Sequence, residues 1–309
     1  MTSLDTYLAE MADTSRPLKT AKLTNLSQLS DEEREGFRSV WAAIDPERRL
    51  QIIQRISDVA EDNPEYDFSA VLIECIPDPD PRVRAAAIGA LWEYEERDLI
   101  PILIDRLHSD EDADVRAAAA LALGRFVLLG EFDGLRPRDL RGIEDVLAET
   151  INDAAETEEV RARALEALGA RSEPWVRDLI ADAYTSGEHR MQVSAVHAMG
   201  RSCDAYWLPD VIQQLQSDDA ELRFEAATAA GMIGDEAAAP HLASLINDED
   251  AEVQAVAIEA LAEIGGSDAR SALTRQLNNP DQRIREAARE AIASMELAGA
   301  LDDADDDDP

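Results

Sequence analysis

Lysine is nearly missing from this chain. Lys19 and Lys22 are the only two among 29 basic residues, which face 66 acidic ones for a formal net charge of −37. A surface of that sign repels phosphate, so nucleic-acid binding by charge neutralisation is excluded for the chain as a whole. Cysteine is as scarce. Cys75 and Cys203 fall in well-separated helical units, too far apart for a disulfide, and read as small buried apolar side chains in a reducing compartment. No run approaches the roughly 18 apolar residues of a membrane span. The first twenty residues lack the basic-then-apolar order of a secretory signal. The expectation is a cytoplasmic chain with no membrane partner. Reactive motifs are missing as well: there is no H-E-x-x-H, C-x-x-C, G-x-S-x-G or G-x-x-x-x-G-K-[ST]. No catalytic residue, metal ligand or cofactor is therefore assigned, and the chain is read as a non-enzyme.

Aromatic residues make up only 5% of the sequence, yet 45% is hydrophobic; alanine fills the gap, and it is periodic. The stretch DAELRFEAATAAGMIG is nearly restated as DAEVQAVAIEALAEIG, with Leu222 and Val253 in register 31 residues apart. A self-match at this period signals a repeat array. Carried along the chain, the anchor falls on Ile52, Val83, Val115, Val160, Met191, Leu222, Val253 and Ile284. The residue four further on is Ile56 in the first unit, and then Ala87, Ala119, Ala164, Ala195, Ala226, Ala257 and Ala288. At seven further on stands Val59, and then alanine in every unit through Ala291. On a 3.6-residue helix these positions form one stripe. Alanine there lets neighbouring helices approach closely. Each anchor helix follows a shorter one, such as Leu99–Leu107 or Trp207–Leu215. Acidic turns join the two, and their Asp, Asn and Ser residues suit a helix N-cap. No window alternates with period two, so no strand is expected.

The reading is an all-α, right-handed α-solenoid of about eight helical hairpins, expected to be a monomer. Residues 1–30 form a leader or capping segment, in which Leu4–Met11 suits a short helix. Residues 31–297 form the repeats, opened by a capping box at Ser30 and Glu33. Residues 298–309 read as a disordered acidic tail, because a run of like charge repels itself.

The turns and second helices carry a further pattern, D-x-D-x-x-V-R-x-x-A-x-x-A-L-G. It stands as DPDPRVRAAAIGAL (Asp78–Leu91), DEDADVRAAAALALG (Asp110–Gly124) and EEVRARALEALG (Glu158–Gly169). It resembles the HEAT-like repeats of the phycobilisome-lyase type. That resemblance implies a ladder of turn Asp and helix Arg side chains along the solenoid: Asp78, Asp110 and Asp248, with Arg84, Arg116, Arg161, Arg223 and Arg285. Gln192 and Gln254 replace Arg, and Ser217 and Asn279 replace Asp, so the ladder is expected to be interrupted. Deoxyhypusine hydroxylase is built from similar repeats and holds iron through His-Glu dipeptides. Here none of His108, His189, His197 and His241 precedes a Glu, which disfavours that chemistry. The resemblance also implies the alternative of a bilin or prosthetic-group lyase.

The functional expectation is a protein-binding scaffold working through the face lined by second helices, where His197 and Phe224 are candidates. Trp92 and Tyr94 close the second repeat, and read either as partner contacts or as edge packing. One interval is 45 residues instead of 31, which places an insertion at 126–141. Insertions in solenoids often serve binding, and this one concentrates Arg125, Phe126, Phe132, Arg136 and Arg138 in an acidic chain. The competing reading extends the preceding helix through Phe126 and packs Phe132 back on it. The acidity has two readings: solvation, or attraction of a basic protein partner.

Overall fold

The computed structural model describes the backbone of residues 3–305 and the side chains of residues 6–297. These residues form α-helices and short 3-10 turns, with no strand among them. The fold is an α-solenoid of eight helical hairpins, in two compact units, Met1–Ala164 and Leu165–Pro309.

The first unit begins with α1 (Ser3–Ala12) and α2 (Thr20–Leu23). Its hairpins are α3 (Asp31–Trp41) with α4 (Pro46–Asp62), α5 (Ser69–Cys75) with α6 (Pro81–Gly89), and α7 (Leu99–Ser109) with α8 (Ala113–Glu131). They are followed by α9 (Pro137–Asn152) and α10 (Glu158–Leu168), within which the units divide. In the leader, Tyr7, Leu8, Met11, Leu23 and Leu26 are buried. The buried guanidinium of Arg48 in α4 donates to the carbonyls of Met11 (3.1 Å) and Arg16 (2.9 Å), which ties the segment down. The second unit pairs α11 (Pro174–Thr185) with α12 (His189–Arg201), α13 (Leu208–Gln214) with α14 (Ala220–Ile233), α15 (Ala239–Leu245) with α16 (Ala251–Ile264), and α17 (Gly266–Gln276) with α18 (Gln282–Asp305).

Local chemistry sets these boundaries. The Ser30–Glu33 capping box opens α3. Asp45, Asp80, Asp112, Asp219 and Asp250 each accept a first-turn N–H of α4, α6, α8, α14 and α16, satisfying donors that a helix start leaves open. Pro209 and Pro240 sit in the first turns of α13 and α15, where their missing N–H costs no hydrogen bond. Gly234 closes α14 at φ 72°, a left-handed conformation that glycine adopts without strain. At the C-terminus α18 continues to Asp305: the alanine-rich AIASMELAGA run is helix-favouring, so helix persists past 298, where the sequence reading begins a disordered tail. Residues 306–309 lie outside the described residues.

All eight anchors and the eight residues four positions later are buried. The seven-later alanines are buried from Ala167 onward but only half-buried at Ala90 and Ala122. In the second unit the alanine seam has a partner that the sequence reading missed. Gly169, Gly200 and Gly231, nine residues after their anchors, press on Ala198, Ala229 and Ala260 of the next second helix. A Cβ at Gly169 would lie 2.8 Å from Ala198 Cα, one at Gly200 2.6 Å from Ala229 Cα, and one at Gly231 3.1 Å from Ala260 Cα. Gly231 is thus a buried packing glycine inside α14.

Cys203 corrects a second expectation. Cys75 is buried, but Cys203 is exposed and lies at φ 49° in the turn after α12. The chain reverses direction there, and the left-handed backbone turns the side chain out of the core. Both thiols are free. No helix among the described residues is long and apolar enough to cross a membrane.

Candidate functional site

The turn-and-helix pattern builds a chain of buried ion pairs. In α6, Arg84 donates from Nε and Nη2 to both oxygens of Asp110, at 2.8 and 2.6 Å, and from Nη1 to the carbonyl of Asp78 at 2.9 Å. In α8, Arg116 repeats the geometry one hairpin later, with Glu156 at 2.7 and 2.8 Å and the carbonyl of Asp110 at 2.8 Å. Arg223 of α14 holds both oxygens of Asp248 at 2.8 Å and the carbonyl of Ser217 at 2.9 Å. Asp78 is held from the preceding hairpin by Arg49 and by the indole N–H of Trp41, each at 2.7 Å. Arg161 donates to the carbonyl of Ile151, and Arg285 to those of Asn279 and Pro280. Arg49 and Glu156 are members that the pattern did not contain. Glu156 takes the place of the turn Asp, one position nearer its anchor Val160 than Asp78 or Asp110 stands to its own, and its longer side chain still reaches Arg116. The interruptions are partial. Ser217 and Asn279 still accept the N–H two residues on, at 3.2 and 2.9 Å, and Gln254 still donates to the Asp248 carbonyl at 2.6 Å. These are positioning contacts: they set the angle between hairpins and leave little of themselves exposed.

The surface candidates separate. The 126–141 segment is not a loop. Its first six residues extend α8, a five-residue turn follows, and α9 begins at Pro137. Phe126 is fully buried, because it continues the apolar side of α8. Arg125 is half-buried, donates from Nη1 to the Leu91 carbonyl, and lies 5.4 Å from the Phe126 ring. Burial lowers its pKa to about 10, opposed by Glu95. Neither residue is free to meet a partner. Phe132, by contrast, is 78% exposed and does not pack back on α8. Arg136 and Arg138 are exposed beside it. Leu121 and Leu128, both exposed, lie seven residues apart on α8 with Phe132 four further on, so one side of this helix is apolar and uncovered. An alternation too short to stand out in an alanine-rich run is all the sequence offers for those two leucines.

His197 and Phe224 come together. They line a groove of about 290 Å³ across α12, α14 and α16 with Glu225, Val256, Glu259 and Glu263. His197 Nδ1 lies 3.1 Å from Glu225 Oε2. Glu259 and Glu263 stand one turn apart on α16, and among the described residues neither is ion-paired to a cation; burial, then the Glu259 charge, raises the Glu263 carboxyl above its usual range. Trp92 and Tyr94 line a different cleft, in the first unit. Among the described residues, no group of three His, Cys, Asp or Glu side chains could hold a metal ion.

Residues 69–153, 185–252 and 240–306 match a family model described as HEAT repeats. The chain belongs to the HEAT-repeat family. Among solved structures, the complex of CpcE and CpcF of phycocyanin lyase from Nostoc sp. is similar, at 20% identity and a TM-score of 0.53 over 93% of this chain and 97% of that one. Human deoxyhypusine hydroxylase aligns at 19% identity and a TM-score of 0.32, covering 95% and 96%. A designed armadillo repeat protein aligns at 16% identity and a TM-score of 0.40, covering 63% and 99%. At these identities the likeness is one of fold: HEAT repeats are a scaffold on which many functions are carried. A search of the curated proteins finds no match.

Proposed function

We propose that this HEAT-repeat protein is a non-enzymatic binding scaffold for a protein partner with a basic segment. The observation that carries the reading is the groove across α12, α14 and α16. It pairs the Phe224 ring and Val256 with two carboxylates that no cation among the described residues pairs with, Glu259 and Glu263. A like-charge pair is relieved by an incoming ammonium or guanidinium, and the apolar floor gives such a ligand's stem a surface to cover. The net charge of −37 steers basic chains toward the groove and speeds encounter more than it tightens binding. The α8–α9 step adds a second surface, with Leu121, Leu128 and Phe132 for apolar contact and Arg136 and Arg138 for specificity.

The test is fluorescence anisotropy of labelled peptides of equal length and opposite charge, titrated with the full chain at low and high salt. Basic peptides should bind, weaken as salt rises, and lose about tenfold in affinity to Phe224→Ala. Equal binding of acidic peptides, or none by either class, would remove the proposal.

A further inference from the structure

We infer that the cleft between the 63–68 and 90–96 segments of the first unit is a guanidinium site, taking an arginine side chain from a basic segment of the partner. The inference rests on the scaffold reading and adds to it a second, chemically defined contact.

The cleft encloses about 440 Å³, and Tyr66, Trp92, Tyr94, Glu93, Glu95 and Glu96 line it with Asp67. Its walls are fixed. The Tyr94 N–H donates to the Leu91 carbonyl at 3.0 Å, which holds the Trp92–Tyr94 turn after α6. The Asp67 carbonyl accepts the Gln28 N–H at 2.8 Å and the Asp67 N–H donates to Ser27 Oγ at 3.1 Å, which anchors the opposite segment. The Tyr94 hydroxyl donates to Asp98 at 3.1 Å, and burial with that bond pushes its pKa up to about 12.

Two features of this cleft ask for a planar cation. Trp92 is 52% exposed and Tyr66 36%, so two aromatic rings of one cleft meet solvent. Among the described residues, Asp67, Glu93, Glu95 and Glu96 form no ion pair, although most arginines nearby are committed elsewhere. Arg97 pairs with Asp139, and Arg125, which senses the Glu95 charge, donates to the Leu91 carbonyl. Exposed π faces beside unpaired carboxylates are complementary to a guanidinium, which stacks flat and still presents N–H groups at its edge. The same molecule satisfies an arginine in this way elsewhere: in the second unit, Arg177 lies 4.6 Å from the Tyr206 ring centroid while Nη2 pairs with Asp204 at 2.5 Å. A lysine ammonium lacks the plane and a quaternary ammonium lacks the donors, so both should bind less well.

The test uses the ¹⁵N-labelled full chain, with the Trp92 indole resonance assigned by its loss in Trp92→Phe. The probes are a glycine-spaced arginine peptide, its lysine counterpart and choline. The arginine peptide should shift the Trp92 indole saturably and bind about tenfold more tightly than the lysine peptide or choline. Trp92→Ala and the double variant Glu95→Gln, Glu96→Gln should each weaken it about tenfold, with unchanged circular dichroism, because these side chains are exposed. A silent Trp92 indole, wild-type affinity in Trp92→Ala, or equal binding of all three probes would overturn the assignment. If the peptide is instead lost in Phe224→Ala, the scaffold reading stands and the cleft does not; loss of binding everywhere removes both.

Discussion

Arg84 grips Asp110 across two hairpins through two parallel hydrogen bonds of 2.8 and 2.6 Å, with side-chain exposures of 8% and 2%. Burying two charges is costly and is offset only when both partners are present with their remaining donors and acceptors satisfied. The carbonyls of Asp78 and Pro79 and the Asp112 N–H complete that set. Asp110→Ala should therefore cost about 3–5 kcal/mol, because it strands a buried guanidinium, whereas the apolar double replacement Arg84→Met, Asp110→Leu should cost much less. Urea unfolding of the three proteins checks this; equal losses would contradict it.

Acid should loosen the same ladder. The Arg223 hydrogen bond holds the Asp248 carboxyl below its ordinary value despite burial. Its folded pKa lies below its unfolded one, so its contribution is complete above the unfolded value, about 3.9, and is lost as pH falls through the folded value. Asp248→Asn should unfold more easily than wild type at neutral pH, and the gap should close in strong acid. A gap constant with pH would show that the pair does not titrate with folding.

Close approach in the second unit is testable with one methyl group. Gly200→Ala places Cβ 2.6 Å from the Ala229 backbone, and overpacking of this kind costs about 1–3 kcal/mol. Gly89→Ala meets nothing within 4 Å and should be neutral or gain up to about 1 kcal/mol from helix propensity. Thermal melts that treat the two alike would refute the glycine–alanine seam.

The two phenylalanines of the 126–141 segment should part company. Phe126→Ala removes a fully buried ring and should cost about 3–5 kcal/mol. Phe132→Ser alters a side chain that is 78% exposed and should stay within about 0.5 kcal/mol of wild type. Chemical denaturation decides between this assignment and its reverse.

The hairpins were legible because burial imposes a period: every anchor from Ile52 to Ile284 is a core residue, and a 31-residue register cannot hide. Arg84 and Asp110 were readable from a family pattern, but Glu156 was not, since a longer acid one position nearer its anchor changes both residue type and spacing. Gly200 was missed because small residues abound, and only the facing helix reveals which one lacks room for a Cβ. The clefts were least legible. Phe224 joins Glu259 and Glu263 across neighbouring hairpins, and Tyr66 joins Trp92 from the two ends of the α5–α6 hairpin, and both juxtapositions depend on how the helices stack.

Hydrogen exchange of the full chain, with and without a saturating arginine-rich peptide, tests the binding account most directly. The account predicts added protection at the groove segments of α12, α14 and α16 and at residues 63–68 and 90–96, with little change in α1 and α2. Protection spread evenly along the chain, or absent from both clefts while the peptide is bound, would contradict it.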